Sequence, residues 1–147
     1  MQPKITAMII MARECRLPLL EALESCGIEV LPVCDCSEAR RMLEIQPEMQ
    51  VVLTDVALPD GDWREVLQIV AHSRPNIEVV VSSRLGDHKL WIDVLEQGAY
   101  DVLAEPYERE EVRRIVGAAA ARSYKRSLPL AQAISYKPKA PPAPGAA

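Results

Sequence analysis

Asp55 closes the apolar run QVVLTD, and a carboxylate placed there must be bonded to nearby N–H groups or carry a function, because burying it alone costs several kcal/mol. Other polar residues stand in the same relation to an apolar run. Ala12, Arg13 and Glu14 follow ITAMIIM, Asp35 follows IEVLPV, Ser83 follows IEVVVS, and Glu105 follows YDVLA. Each also has a plainer reading: Ser83 as a cap for the chain entering a helix, Arg13 and Glu105 as solvated charges at element ends. Nucleophilic catalysis finds no support, since neither His72 nor His88 has a partner at a useful spacing. Nucleotide binding finds none either, because MIIMARECR offers no glycine for close approach to a phosphate.

The elements that must position these residues follow from hydrophobic patterning. Apolar runs at 5–11, 28–33, 50–55, 77–82 and 100–104 are nearly continuous rather than alternating, which is what strands covered on both faces require. Helical periodicity fills the gaps: Leu17, Leu20 and Leu23; a shorter stretch from Ser37 to Ile45; Val66, Leu67, Ile69 and Val70 behind an Asp62-x-x-Glu65 cap; Leu90, Trp91, Val94 and Leu95; Val112, Ile115, Val116 and Ala119. The order is βα five times over. Right-handed crossovers then predict an α/β fold with an open, five-stranded parallel sheet in one of the two common doubly wound orders, its working site at the carboxyl ends of the strands.

The chain has 147 residues, enough for one core. Phe is absent and aromatic residues make up 4%, so aliphatic side chains must build that core, with Trp63 and Trp91 as packing residues. No apolar run is long enough to span a membrane and no export or lipidation signal opens the chain, which predicts a cytoplasmic protein. Cys34-x-Cys36 lacks the usual metal-ligand spacing, so Cys15, Cys26, Cys34 and Cys36 are read as reduced thiols without a special task. All 21 acidic residues and 12 of the 17 basic ones precede residue 122, an acidic balance that argues against direct DNA binding. The predicted domain is 1–122. Residues 123–147, rich in Pro, Ala and Lys, read as a disordered tail whose LPLAQAI stretch keeps some apolar character.

Taken together, VVLTDVALPDGDWREVL, VVVSSRLGD, LEQGAYDVLAEPYEREEV and ALESCGIEV resemble the receiver domains of two-component response regulators, over roughly residues 5–121. The resemblance implies the flavodoxin-like (βα)5 fold with strand order 2-1-3-4-5 and a role in phosphorelay signal transduction rather than an enzyme's. It places the phosphoacceptor on Asp55 and the phosphoryl-binding hydroxyl on Ser83. In the family, Mg²⁺ sits on acidic residues after the first strand, and a lysine precedes the proline after the last. Here the acidic pair maps onto Ala12-Arg13 or Arg13-Glu14, and the lysine position is Glu105, before Pro106. The aromatic switch position falls on Val102, with Tyr100 two residues earlier.

A transferring phosphoryl group spreads negative charge that cations must meet. The sign changes at Arg13 and Glu105 therefore argue for a pseudo-receiver in which Arg13 pairs with Asp55 or Glu105. Such a chain needs no cofactor and signals through protein contact by its last two helices and last strand. A working phosphoacceptor remains the alternative, with Mg²⁺ held by Asp55 and Glu14 or Asp35, and a flavodoxin-like small-molecule binder is the third reading. The implied partners are signalling proteins, among them a histidine kinase, or a second copy of the chain.

Overall fold

The run predicted at 5–11 forms strand β1 (Thr6–Ile10), and its side chains divide with the period of two that a strand imposes. Ala7 and Ile9 join one buried cluster, Met8 and Ile10 another. Strands β2 (Glu29–Val33), β3 (Val51–Asp55), β6 (Glu78–Ser83) and β7 (Asp101–Ala104) complete the sheet, within a residue or two of the predicted bounds. The structure, a computed structural model, describes residues 4–84 and 88–127.

All pairings in the sheet are parallel, in the order β2-β1-β3-β6-β7. Counting the five sheet strands alone, this is the 2-1-3-4-5 order of the flavodoxin-like fold. The almost wholly buried β3 and β6 lie centrally, whereas β2, which carries Pro32, lies at an edge, where a missing N–H is tolerated. A two-residue pair that the sequence did not announce, β4 (Ala57–Leu58) and β5 (Gly61–Asp62), forms a small antiparallel hairpin after β3.

Helices cover both faces. Helix α1 (Leu17–Ser25) and α5 (Arg109–Arg126) pack through Leu19, Leu23, Val112, Ile115, Val116 and Ala119 on one side. Helix α2 (Cys36–Ile45) and α3 (Trp63–Ser73) pack through Ala39, Leu43, Val66, Ile69 and Val70 on the other, and α4 (His88–Glu96) sets Val94 against Trp63 and Val81. The buried face of α1 is carried by Leu19 and Leu23, while Leu17, expected on the apolar stripe, is exposed as the first residue of the helix. Asp62 caps α3 as predicted, accepting from the Arg64 and Glu65 amides at 2.9 and 3.3 Å. Gly27 and Gly98, at φ of +77° and +103°, follow α1 and α4 in the left-handed region that turns the chain toward the next strand.

Helix α5 extends to Arg126, past residue 122. The added turn has a reason in the sheet. Glu78 begins β6 with its side chain only 4% exposed, and its Oε2 meets Arg126 Nη1 at 2.7 Å and Arg122 Nε at 3.5 Å. The expected disorder of the remaining tail lies outside the described residues.

Candidate functional site

The carboxyl ends of β1, β3, β6 and β7 meet on one rim of the sheet, beside the switch point between β1 and β3. Asp55 is the last residue of β3, its side chain 18% exposed. Its Oδ1 accepts from the Val56 amide at 2.8 Å. Across the sheet its register partner is Ser82, so the next residue, Ser83, also stands at the rim and is buried. Ser83 pairs in turn with Ala104, and its carbonyl accepts from the Glu105 amide at 3.0 Å. Asp55, Ser83 and Glu105 thus reach one rim because three adjacent parallel strands end in register.

Arg84, the first residue after β6, completes the cluster. Its Nη2 lies 4.0 Å from Asp55 Oδ2, at the outer limit of a direct ion pair. The Cys15 sulfur above all, then the Asp55 and Glu105 carboxylates, hold the Arg84 guanidinium above its usual range. Tyr107, half-buried two residues beyond Glu105, belongs to the same surroundings. Burial, then Glu105, pushes its hydroxyl up to about 12.

Arg13 does not take the part expected of it. Among the described residues it pairs with neither Asp55 nor Glu105. The loop after β1 turns tightly, with the Cys15 amide donating to the Ala12 carbonyl at 2.9 Å, and leaves Arg13 and Glu14 exposed and Ala12 half-buried. The cation at Asp55 comes instead from the neighbouring strand. A sequence signal for it existed: Arg84 directly follows the hydroxyl of VVVSSRLGD.

Val102 sits half-buried against the cluster of Trp63, Val81 and Val94. Tyr100, the nearby aromatic, lies at the opposite end of β7, where its amide donates to the Val79 carbonyl at 2.7 Å and Arg122 stands 5.9 Å from its ring centre. The aromatic beside the pocket is Tyr107, which sequence reasoning missed.

A hard divalent ion takes several oxygen ligands in near-octahedral array. The residues at the rim do not fit one. Among the described residues no group of three His, Cys, Asp or Glu side chains converges on a common point. Asp35, a possible helper in the sequence reading, is spent capping α2, accepting from the Glu38 amide at 2.8 Å, and Glu14 projects outward. The free oxygen of Asp55 faces a guanidinium.

Next to the rim, the β4–β5 hairpin docks on the start of α2. Asp60 accepts from the Cys36 and Ser37 amides at 2.8 and 3.0 Å, and these bonds, Cys36 first, hold its carboxyl below the usual value. Gly61 allows the approach, since a Cβ there would stand 3.2 Å from both Cys36 Sγ and Glu65 Cβ.

Comparison with known proteins bears on this rim. A family model described as the response regulator receiver domain matches residues 13–117. The chain is 33% identical over 111 residues to the DNA-binding transcriptional regulator NtrC of Bradyrhizobium sp. (strain RP501 Parasponia), covering 76% of this chain and 23% of that protein. It is 26% identical over 69 residues to the chemotaxis protein CheY of Listeria monocytogenes, covering 47% of this chain and 56% of that protein. The crystal structure of a response regulator receiver domain protein from Clostridium thermocellum superposes with a TM-score of 0.71 at 23% identity, covering 82% of this chain and 97% of that one. The chain thus spans about a quarter of the length of the NtrC relative.

Proposed function

Because the chain belongs to the response regulator receiver domain family, we propose that it is an atypical receiver that signals through protein–protein contact while its acceptor aspartate stays unphosphorylated. The observation that carries this reading is the Arg84 guanidinium 4.0 Å from Asp55 Oδ2, with Glu105 where the family has a lysine. Arg84 meets the charge that a metal ion would otherwise meet. Glu105 adds a negative charge where an incoming phosphoryl group needs a positive one. Loss of one electrostatic group at a reacting centre typically costs about 10²–10³ in rate. Receivers are signalling modules, and the output here is binding rather than catalysis. The partners are proteins, a histidine kinase or a downstream component among them, and a second copy of the chain is a further candidate.

A second reading is favoured by the same contact. Arg84 keeps 55% of its side chain in water and does not touch Asp55 closely, so it can move and serve as the cation for a phosphoryl group on Asp55, with Ser83 as the hydroxyl. One experiment separates the two. The protein is incubated with acetyl phosphate and Mg²⁺ and its intact mass is followed. The expected result is no phosphoryl adduct at Asp55, together with a gain of at least about 10² in modification rate when Arg13→Asp, Arg84→Ala and Glu105→Lys are combined. Stoichiometric labelling of the natural chain, lost in Asp55→Asn, overturns the phosphorylation-independent reading in favour of the second.

A further inference from the structure

Arg16 is a buried cation that no carboxylate meets among the described residues. It is 9% exposed, it enters none of the ion pairs among the described residues, and its Nε–H is buried without an acceptor. Its Nη2 donates to the Cys34 sulfur at 3.1 Å. Sulfur is a weak acceptor, and an unpaired guanidinium held away from water is costly, so the site lacks an oxygen and a negative charge. The two donors belong to one planar fork, which suits a group presenting sulfur and oxygen side by side.

We propose that Cys34 is a site of oxidation by hydroperoxides, with Arg16 holding the oxygen that the sulfur acquires. The Cys34 sulfur attacks one peroxide oxygen and the O–O bond breaks. The thiol proton leaves with the other oxygen as water or an alcohol. Sulfur is oxidised by two electrons to the sulfenic acid, and the peroxide is reduced. The new oxygen supplies the acceptor that the Arg16 Nε–H lacks, and its sulfenate form supplies the missing negative charge.

Position favours Cys34 over its neighbours. Cys34 lies just after β2 and is half-buried, within reach of a small peroxide. Cys36 is buried, and that burial, then the Asp60 carboxylate, pushes its thiol up to about 12, which keeps it protonated and inert. Cys15, also half-buried, lies against Arg84, but that guanidinium is 55% exposed and already faces Asp55, so it offers no buried vacant donor. Cys26 faces the Arg109 carbonyl at 3.6 Å rather than a cation. Arg16 ends the same loop that brings Cys15 to Arg84, so oxidation of Cys34 acts one loop away from the Asp55 rim.

The test uses the full chain, reduced and then exposed to hydrogen peroxide with dimedone present, and maps the sulfenic acid adducts by peptide mass spectrometry. The expected result is labelling of Cys34 about tenfold faster than Cys15 or Cys26, with Cys36 unlabelled, and a comparable drop at Cys34 in Arg16→Gln that Arg16→Lys partly restores. Equal labelling of Cys34, Cys15 and Cys26 in the natural chain overturns the proposal. So does an Arg16→Gln protein that keeps its circular dichroism spectrum and labels Cys34 at the natural rate. Should Arg16→Gln not fold, the ranking of the cysteines in the natural chain decides alone.

Discussion

The Arg84 guanidinium is more than half in water and stands 4.0 Å from Asp55, so the pair governs the charge of the rim more than the stability of the fold. Exposed pairs of this kind are typically worth under about 1 kcal/mol. Arg84→Ala is expected to lower the unfolding free energy by no more than that, which an equilibrium urea unfolding curve checks. Asp60 is a different case, because its carboxylate satisfies two orphan amides of α2. Asp60→Ala should cost about 1 kcal/mol at neutral pH, the usual value of a helix N-terminal acceptor. The sign of its pH dependence follows from the depressed carboxyl. The advantage of the natural chain over Asp60→Ala is fully present above the ordinary value of 3.8 and disappears as pH falls through the lower folded value. Parallel unfolding curves at pH 7 and at pH 3 measure this; an advantage that grew on acidification would contradict it. That Asp55, Ser83 and Glu105 would stand at one rim was legible because each ends or follows an apolar run. The position of Arg84 was visible after VVVSS, but its contact with Asp55, the placing of Tyr107 and the Arg16–Cys34 contact were not, since side-chain direction just beyond a strand depends on the turn that follows.

Among the elements, α5 ties the far end of the sheet through a pair in which burial is unequal. Glu78 is 4% exposed, whereas Arg122 and Arg126 keep 36% and 42% of their side chains in water. Removing both arginines strands a buried carboxylate, while removing Glu78 lets the guanidinium groups turn to solvent. Arg122→Ala with Arg126→Ala is therefore expected to cost about 3 kcal/mol, and Glu78→Gln clearly less, by chemical denaturation. The Arg126 half of this pair lies past the predicted boundary at residue 122. A chain cut after Arg122, the predicted boundary, should be less stable than one cut after Ser127, as their thermal unfolding midpoints will show. Periodicity did not reveal that α5 runs on to Arg126, because Arg122 and Arg126 pair with Glu78 from 44 and 48 positions away, and charge pairs leave no periodic trace.

For the whole molecule, the acidic residues all lie before position 122, so the body repels polyanions and the basic remainder does not. Residues 1–127 are expected to show no binding to a DNA duplex at about 0.15 M salt, by fluorescence anisotropy; weak, steeply salt-dependent binding by the full chain would then be assigned to residues 128–147. Among the described residues no helix is long and apolar enough to cross a membrane.

The amino-acid sequence by itself determined the five strands, their parallel sheet and the placing of Asp55 at a strand end. Burial on both faces demands runs of branched apolar residues, and such runs are visible without coordinates. Only the tertiary structure decided which cation faces that carboxylate. A tight turn at Ala12–Cys15 sends Arg13 into water, while the parallel register of β3 and β6 delivers Arg84 to Asp55. Contacts between residues distant in the chain are fixed by register and loop geometry, and hydrophobic pattern carries neither.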